Sequence, residues 1–251
     1  MTWNPELYNQ FKAERSQPFY DLVNLIQPRP NLKVIDLGCG TGELTSTLVS
    51  VLPGCTILGI DTSKEMLAKA ENFSNSQVHF EFGSQENLEG PWDLIISNAA
   101  LQWSDDHSIL FPEIFEHLNE KGQLVIQMPS NHNSRFHQVI REVSQLEPFG
   151  TRLGGYTRTS PVLTIEEYAD LFYHLNARDL LVFEKIYPHV LSNVDQVIQW
   201  LSGTALLPYL DRLGDLKQLF LESIRSSLHQ SNPQEPLFYP FKRLFISAKN
   251  Y

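Results

Sequence analysis

The span "KVIDLGCGTGELTSTLVSVLPGCTILGID", Lys33 to Asp61, holds five residues whose types and spacing suit them to hold a nucleoside. Gly38, Gly40 and Gly42 follow Asp36 in a loop between an apolar run and a helix-forming run. Glycines in such a loop admit left-handed backbone and let a ligand approach the chain closely. The helix beyond the loop opens with free N–H groups. Asp61 ends the next apolar run, about twenty residues further on, where a carboxylate can accept hydrogen bonds from both hydroxyls of a ribose. The glycine spacing is G-x-G-x-G. Dinucleotide loops need G-x-G-x-x-G, and a P-loop needs a following Gly-Lys-Ser/Thr, so neither fits.

The elements that must position these residues alternate. "LKVIDL", "CTILGID", "VHFEF", "DLIISNA" and "GQLVIQM" read as strands. Between them "ELTSTLVSVL", "TSKEMLAKAEN" and "DHSILFPEIFEHL" read as helices, the second with Thr62 and Glu65 placed as a capping box. Such alternation predicts an α/β fold with a doubly wound, mostly parallel sheet. Residues 4–26 read as two helices, capped at Asn4 and Ser16, with Phe19, Leu22, Val23 and Ile26 on the apolar face of the second. After Met128 the pattern changes to helices around a turn-rich stretch, "EPFGTRLGGYTRTSPV", with two further strands, "DLLVFEKIYPHV" and "FKRLFISAKN". The expectation is one domain over residues 1–251, with helical cap elements from about 1–28 and 129–235.

Composition narrows the function. The 251 residues carry a net charge of −10, which argues against a nucleic-acid footprint, because phosphate binding relies on clustered Lys and Arg. One local arginine can still hold a small anion. No run of 18 or more apolar residues is present, so no membrane span is expected. The N-terminal stretch resembles neither a signal nor a transit peptide, and a cytoplasmic protein is expected. Cys39 and Cys55 offer no disulfide framework and no metal spacing. Nothing in the sequence fixes the oligomeric state.

With these residues in hand, "VIDLGCGTG" resembles the first motif of class I S-adenosylmethionine-dependent methyltransferases, and Asp61 matches their ribose-binding acid. The resemblance implies a seven-stranded Rossmann-like sheet with its last strand inserted antiparallel, for which "RLFISAK" is suited. It implies S-adenosyl-L-methionine as cofactor, with Gly38, Gly40 and Gly42 against its amino-acid part, Asp36 facing its ammonium end and Thr62 beside the ribose acid. Where the family often has an acid for the adenine amine, this sequence has Ser84, followed by Gln85. Asn98, after the fourth strand, stands where family members contact cofactor or substrate.

A narrower resemblance runs nearly the full length. "WNPELYNQFKAERSQP", "NAALQWSDDH", "QMPSN" and "RLFISA" are similar to stretches of the trans-aconitate methyltransferases, while residues 148–165 match poorly. That family esterifies one carboxylate of a small tricarboxylic acid. A carboxylate is ionised near neutral pH and needs no general base. Catalysis then rests on positioning, and no catalytic residue or metal is assigned. The expected substrate-binding residues are Arg15, with Tyr8 and Phe11 as a lid, and Gln102, Trp103 and His107. Arg152, Arg158, Lys242, Arg243, Tyr156 and Tyr239 are weaker candidates. The rivals are a malonyl-acyl-carrier-protein methyltransferase, another small-molecule methyltransferase and a non-catalytic cofactor-binding module.

Overall fold

A computed structural model describes residues 12–232 and 234–251, with side chains from Ser16 onward. Tyr8, Phe11 and the cap expected at Asn4 lie outside the described residues, as does the Arg15 side chain.

In chain order the elements that matter for the site are α1 (Lys12–Val23), β1 (Lys33–Leu37), α2 (Glu43–Thr47), β2 (Thr56–Asp61), α3 (Lys64–Ala70), β3 (Val78–Phe82), β4 (Trp92–Asn98), α4 (His107–Glu116) and β5 (Leu118–Pro129). They are followed by α5 (Arg135–Ser144), α6 (Phe149–Leu153), α7 (Ile165–His174), β6 (Arg178–Leu191), α8 (Val194–Ser202), α9 (Leu207–Leu213), α10 (Lys217–Ser231) and β7 (Leu237–Lys249). Seven strands form one sheet in the order β3-β2-β1-β4-β5-β7-β6. The first five pair in parallel, and β7 pairs antiparallel with β5. This is the doubly wound sheet with an inserted antiparallel strand that the alternating pattern and "RLFISAK" led us to expect.

The near-continuous apolar runs follow from burial on both faces. Ile35, Leu37, Ile95, Leu124, Ile126, Leu244 and Ile246 join one core cluster with Phe111, Phe115, Tyr168 and Phe172 from α4 and α7. On the opposite face, α1 packs against β5. Phe19 and Leu22 are buried there, and Gln123 of β5 fixes the end of the helix. Its side-chain oxygen accepts from Gln27 N at 2.9 Å, and its nitrogen donates to Leu25 O at 2.8 Å and to Ser247 Oγ at 2.9 Å.

Some local expectations need correcting. Ser16 does not cap a second helix, because α1 runs through it and through Pro18. Proline there removes one intrahelical donor, and burial of Phe19 and Leu22 in the same helix outweighs that loss. The cap of α3 is Ser63 rather than Thr62, with Ser63 extended and its hydroxyl accepting from Met66 N. The turn-rich stretch also holds the short helix α6, closed by left-handed Gly154.

The chain divides into two compact units, one of Met1–Pro129, Pro161–Lys185 and Arg243–Tyr251, the other of Ser130–Ser160 and Ile186–Lys242. Of the stretch 129–235 expected as cap, residues 161–185 therefore group with the first unit. The second unit has its own aromatic core. Tyr209 stacks on Phe220, Phe149 meets Phe220 edge-on, and Trp200 packs on Tyr239 and Phe241.

Replacing Gln123 by leucine would leave Gln27 N and Leu25 O without their partner. We expect a loss of about 1–3 kcal/mol in denaturant unfolding and faster hydrogen exchange at Gln27. Unchanged exchange there would show that α1 is held by its apolar face alone.

Candidate active site

The candidate site is built at the carboxyl ends of β1, β2 and β4, within the first unit. Gly38, Gly40 and Gly42 adopt φ of +76°, +56° and +72°, the left-handed region that an L side chain resists. The space where a Cβ of Gly40 would stand is open, whereas one on Gly42 would lie 2.5 Å from the Phe80 ring. Gly40 thus exposes backbone, and Gly42 permits close packing of loop on strand.

Asp61 ties this loop to β2. Its Oδ2 accepts from Gly40 N at 2.9 Å and its Oδ1 from Ser63 N at 2.7 Å. An ionised carboxylate has about four acceptor positions, so two remain for a ligand. Gly38 N and Cys39 N both donate to Ile60 O, at 2.8 and 3.0 Å. Asp36 is buried and accepts from Thr45 Oγ1 of α2 at 2.5 Å. Burial raises its carboxyl to about 6, with the charge of Asp61 adding to the rise and the Thr45 hydrogen bond opposing it. Burial, with Asp36 and Asp61 nearby, pushes the Cys39 thiol well above its ordinary range, which makes it a poor nucleophile.

The loop after β4 forms the next wall. Ala99 is left-handed at φ 55°, an uncommon state for alanine. It is held there by donating from its N to Gln127 O at 2.8 Å and by accepting on its O from Gln102 Nε2 at 2.6 Å. Asn98 Oδ1 and Gln102 Oε1 are buried, with no hydrogen-bond partner among the described residues. Trp103 is 53% exposed, so it is a surface residue and not core. Ser84 and Gln85 are half-buried and engaged locally. Ser84 Oγ accepts from Asn87 Nδ2 at 3.3 Å, and Gln85 Nε2 donates to Ser104 Oγ and to Glu86 Oε1. Thr62 is exposed beside Asp61.

His107 corrects an expectation. It is 1% exposed, and both ring nitrogens are taken, Nε2 by Leu101 O at 2.9 Å and Nδ1 by the Tyr168 hydroxyl. Leu101 O can only accept, so Nε2 carries the proton and Tyr168 donates to Nδ1. Burial lowers its pKa, in keeping with a neutral ring. Its aromatic face lies against Phe111, with centroids 5.0 Å apart. His107 therefore pins the β4 loop to α7 and offers no free donor to a ligand. Arg152 is likewise engaged, by Asp215 at 2.9 Å.

Among the described residues no cluster of His, Cys, Asp and Glu is arranged to hold a metal. A cavity of about 270 Å³ lined by Arg29, Asp93, Lys121 and Lys249 belongs to the other end of the sheet, where β1 and β4 begin.

Residues 28–171 match the family model described as a methyltransferase domain. A trans-aconitate 2-methyltransferase of Deinococcus radiodurans is 44% identical, with 99% of both chains covered. One from Yersinia pseudotuberculosis is 35% identical over 98% of this chain and 97% of its own. The chain belongs to this methyltransferase family. Solved structures share the fold at low identity. The YcgJ protein of Bacillus subtilis superposes with a TM-score of 0.63 at 15% identity, covering 93% of this chain and 98% of that one. A Haemonchus contortus phosphoethanolamine N-methyltransferase 2, solved with S-adenosyl-L-methionine, gives 0.56 at 18% identity, covering 94% of this chain and 52% of its own.

In this methyltransferase, sequence reasoning missed three residues around the site. Thr45 was passed over as an ordinary helix residue, although it lies one turn into α2 and so within reach of the strand carboxylate. Tyr168 belongs to the helix Ile165–His174, where a tyrosine carries no motif signal. Gln127 is a polar residue inside the apolar run "GQLVIQM", and that oddity was the available signal.

Tyr168→Phe keeps the ring and removes the hydroxyl that donates to His107 Nδ1 and accepts from Leu163 N. Two buried polar atoms then lose their partner, and about 1–3 kcal/mol of stability should go in urea unfolding. An unchanged midpoint would mean that the aromatic packing alone holds His107.

Proposed function

We propose that the protein transfers the methyl group of S-adenosyl-L-methionine to a carboxylate oxygen of trans-aconitate or a closely similar small polycarboxylic acid. The observation that carries this reading is the full-length 44% identity with a trans-aconitate 2-methyltransferase. The site chemistry supports it.

The residues present fit the cofactor. The left-handed, open Gly40 leaves a cradle that any side chain would fill. Asp61, with two acceptor positions left over, suits the two ribose hydroxyls, and Thr62 stands at the same corner. Buried Asp36 suits an ammonium group, directly or through water. Half-buried Ser84 and Gln85 replace the usual adenine acid, and the unpartnered Asn98 and Gln102 oxygens suit donors on a ligand. When bound, the cofactor supplies an electrophilic methyl on a sulfonium sulfur.

The remaining task of the chain is positioning. A substrate carboxylate is the nucleophile as it stands, so no residue need remove a proton. Gln102, half-buried, and Trp103, exposed at the rim, suit the acceptor side. Arg15 suits a second carboxylate, which a guanidinium can grip with two hydrogen bonds. Its place on α1, the helix that packs against β5, supports this. Tyr8 and Phe11 belong to the same proposal as a lid.

The relatives match across the whole chain, which supports reading both units as one methyltransferase domain. Among the described residues no helix is long and apolar enough to cross a membrane; the acidic composition supports a small-molecule partner and no nucleic acid, and a cytoplasmic enzyme belongs to the same proposal. An acyl-carrier substrate is less well supported, because an acidic carrier favours a basic surface and the chain carries −10.

The deciding assay is methyl transfer from labelled cofactor to a panel of di- and tricarboxylic acids, with a malonyl-carrier protein alongside. Trans-aconitate should be preferred, and Arg15→Ala should raise its KM roughly ten- to a hundredfold with the cofactor Kd unchanged. Turnover of the carrier alone would overturn the substrate assignment. Asp36 yields a second expectation. Its carboxyl is raised to about 6 in the free protein, and a neighbouring ammonium favours the ionised form. Cofactor affinity should therefore climb as pH rises towards about 6, by up to about tenfold per unit, and level off above it. The climb should vanish in Asp36→Asn. A flat profile in the wild type, measured by titration calorimetry, would remove Asp36 from the ammonium.

A further inference from the structure

Strand register places four residues in one row across the carboxyl ends of the sheet. Leu37 pairs with Ile60, Asp36 with Ile96 and Asn98 with Gln127. Counting on from these pairs, Asp61, Gly38, Asn98 and Gln127 stand at one level on β2, β1, β4 and β5. Side chains of partnered residues on parallel strands point to the same face. Asn98 and Gln127 therefore share the face that carries Asp36, two residues further up their strands.

Gln127 is unusual on that face. It is 1% exposed, and among the described residues neither its side-chain nitrogen nor its oxygen has a hydrogen-bond partner. Its neighbour Asn98 has an unpartnered oxygen, as does Gln102. A buried amide without partners destabilises a fold by roughly 1–3 kcal/mol per group. An apolar side chain of similar size would avoid that cost, and the residues on either side of Gln127, Ile126 and Met128, are apolar and fully buried. A buried polar side chain without a partner in the fold calls for one, and at the mouth of a sheet a ligand can supply it.

We propose that the Gln127 side-chain amide donates a hydrogen bond to a carboxylate of the acceptor and so helps hold it in line with the transferring methyl. This inference rests on the function proposed above. The row favours the acceptor over the cofactor. Asp61 and Gln127 are three strand spacings apart in the order β2-β1-β4-β5, or about 14 Å at about 4.8 Å each. The glycine loop and Asp61 occupy the β1–β2 end of that row, which leaves β4 and β5 for the acceptor. A neutral amide also suits the chemistry. A hydrogen bond from a charged donor is about twice as strong as a neutral one, and it would draw more electron density from the oxygen that must attack. Gln127 orients the carboxylate while leaving it nucleophilic. Arg15, on the helix that packs against β5, is the cation assigned to a second carboxylate.

The test is Gln127→Met, which keeps the length and removes the amide. Three readings are made on the full-length protein: the melting temperature without ligands, the cofactor Kd, and kcat/KM for trans-aconitate. The expected result is a melting temperature raised by about 2–4 °C, an unchanged cofactor Kd, and kcat/KM lower by roughly ten- to a hundredfold. That combination separates a ligand-binding amide from a structural one, since loss of a structural amide would lower the melting temperature. Gln127→Glu, of the same size, sets a like charge against the acceptor and should depress kcat/KM further. A lowered melting temperature with normal turnover, an unchanged kcat/KM, or a cofactor Kd weakened in step with turnover would each overturn the inference. A wild type that methylates no carboxylic acid would overturn the proposed function, and this inference with it, and that outcome is visible before any variant is made.

Discussion

The Asp61 carboxylate is the constraint on which the site depends. By accepting from Gly40 N and Ser63 N it ties the glycine loop to the start of α3. The loop needs such a tie. Three left-handed glycines in five residues have little conformational preference of their own, and each loses more chain entropy on ordering than any other residue would. The same carboxylate keeps two acceptor positions for a ligand. A single side chain thus shapes the cradle and presents a binding group to it, and the geometry of one cannot drift without the other.

A second principle runs along the same row of strand ends. The middle stretches of β1, β4 and β5 are apolar and buried, whereas their upper ends carry the Asp36 carboxylate and amide atoms that have no hydrogen-bond partner among the described residues. Asp36 is held partly by Thr45, yet burial still raises it to about 6. These groups are a stored cost to the free protein. Each is suited to be relieved by a complementary group, a cation at Asp36 and polar atoms at Asn98, Gln102 and Gln127. Stability given up in the empty state becomes selectivity in the occupied one.

The sheet and the glycine loop with its acid were legible in the sequence because they are local. A glycine loop between two apolar runs, an acid at the end of the second and strands alternating with helices all lie within about one βαβ unit. The β7 insertion was legible only through family resemblance, since nothing in "RLFISAK" says which strands it will sit between. What was misread depends on long-range packing. His107 looked like an exposed donor near a helix start, and only Tyr168, 61 residues away, shows why it is sealed into the core. Ser63 displaced Thr62 as a cap through a one-residue difference in where α3 begins, the least certain feature of any helix. Gln127 lay in plain view, but a lone polar residue in an apolar run says nothing until the register shows what stands beside it.

The insertion of β7 between β5 and β6 also governs how the molecule comes to exist. The pairing that closes β5 joins residues as far apart as Gln123 and Lys249, a separation of 126 residues. At about 5–20 residues per second of synthesis, roughly 6–25 s pass between the emergence of the two strands. Through that interval the edge of β5 that pairs with β7 has no partner in the nascent chain. Unpaired edges of this kind recruit strands from other molecules. The topology that completes the sheet therefore ties the closing of its core to the arrival of β7.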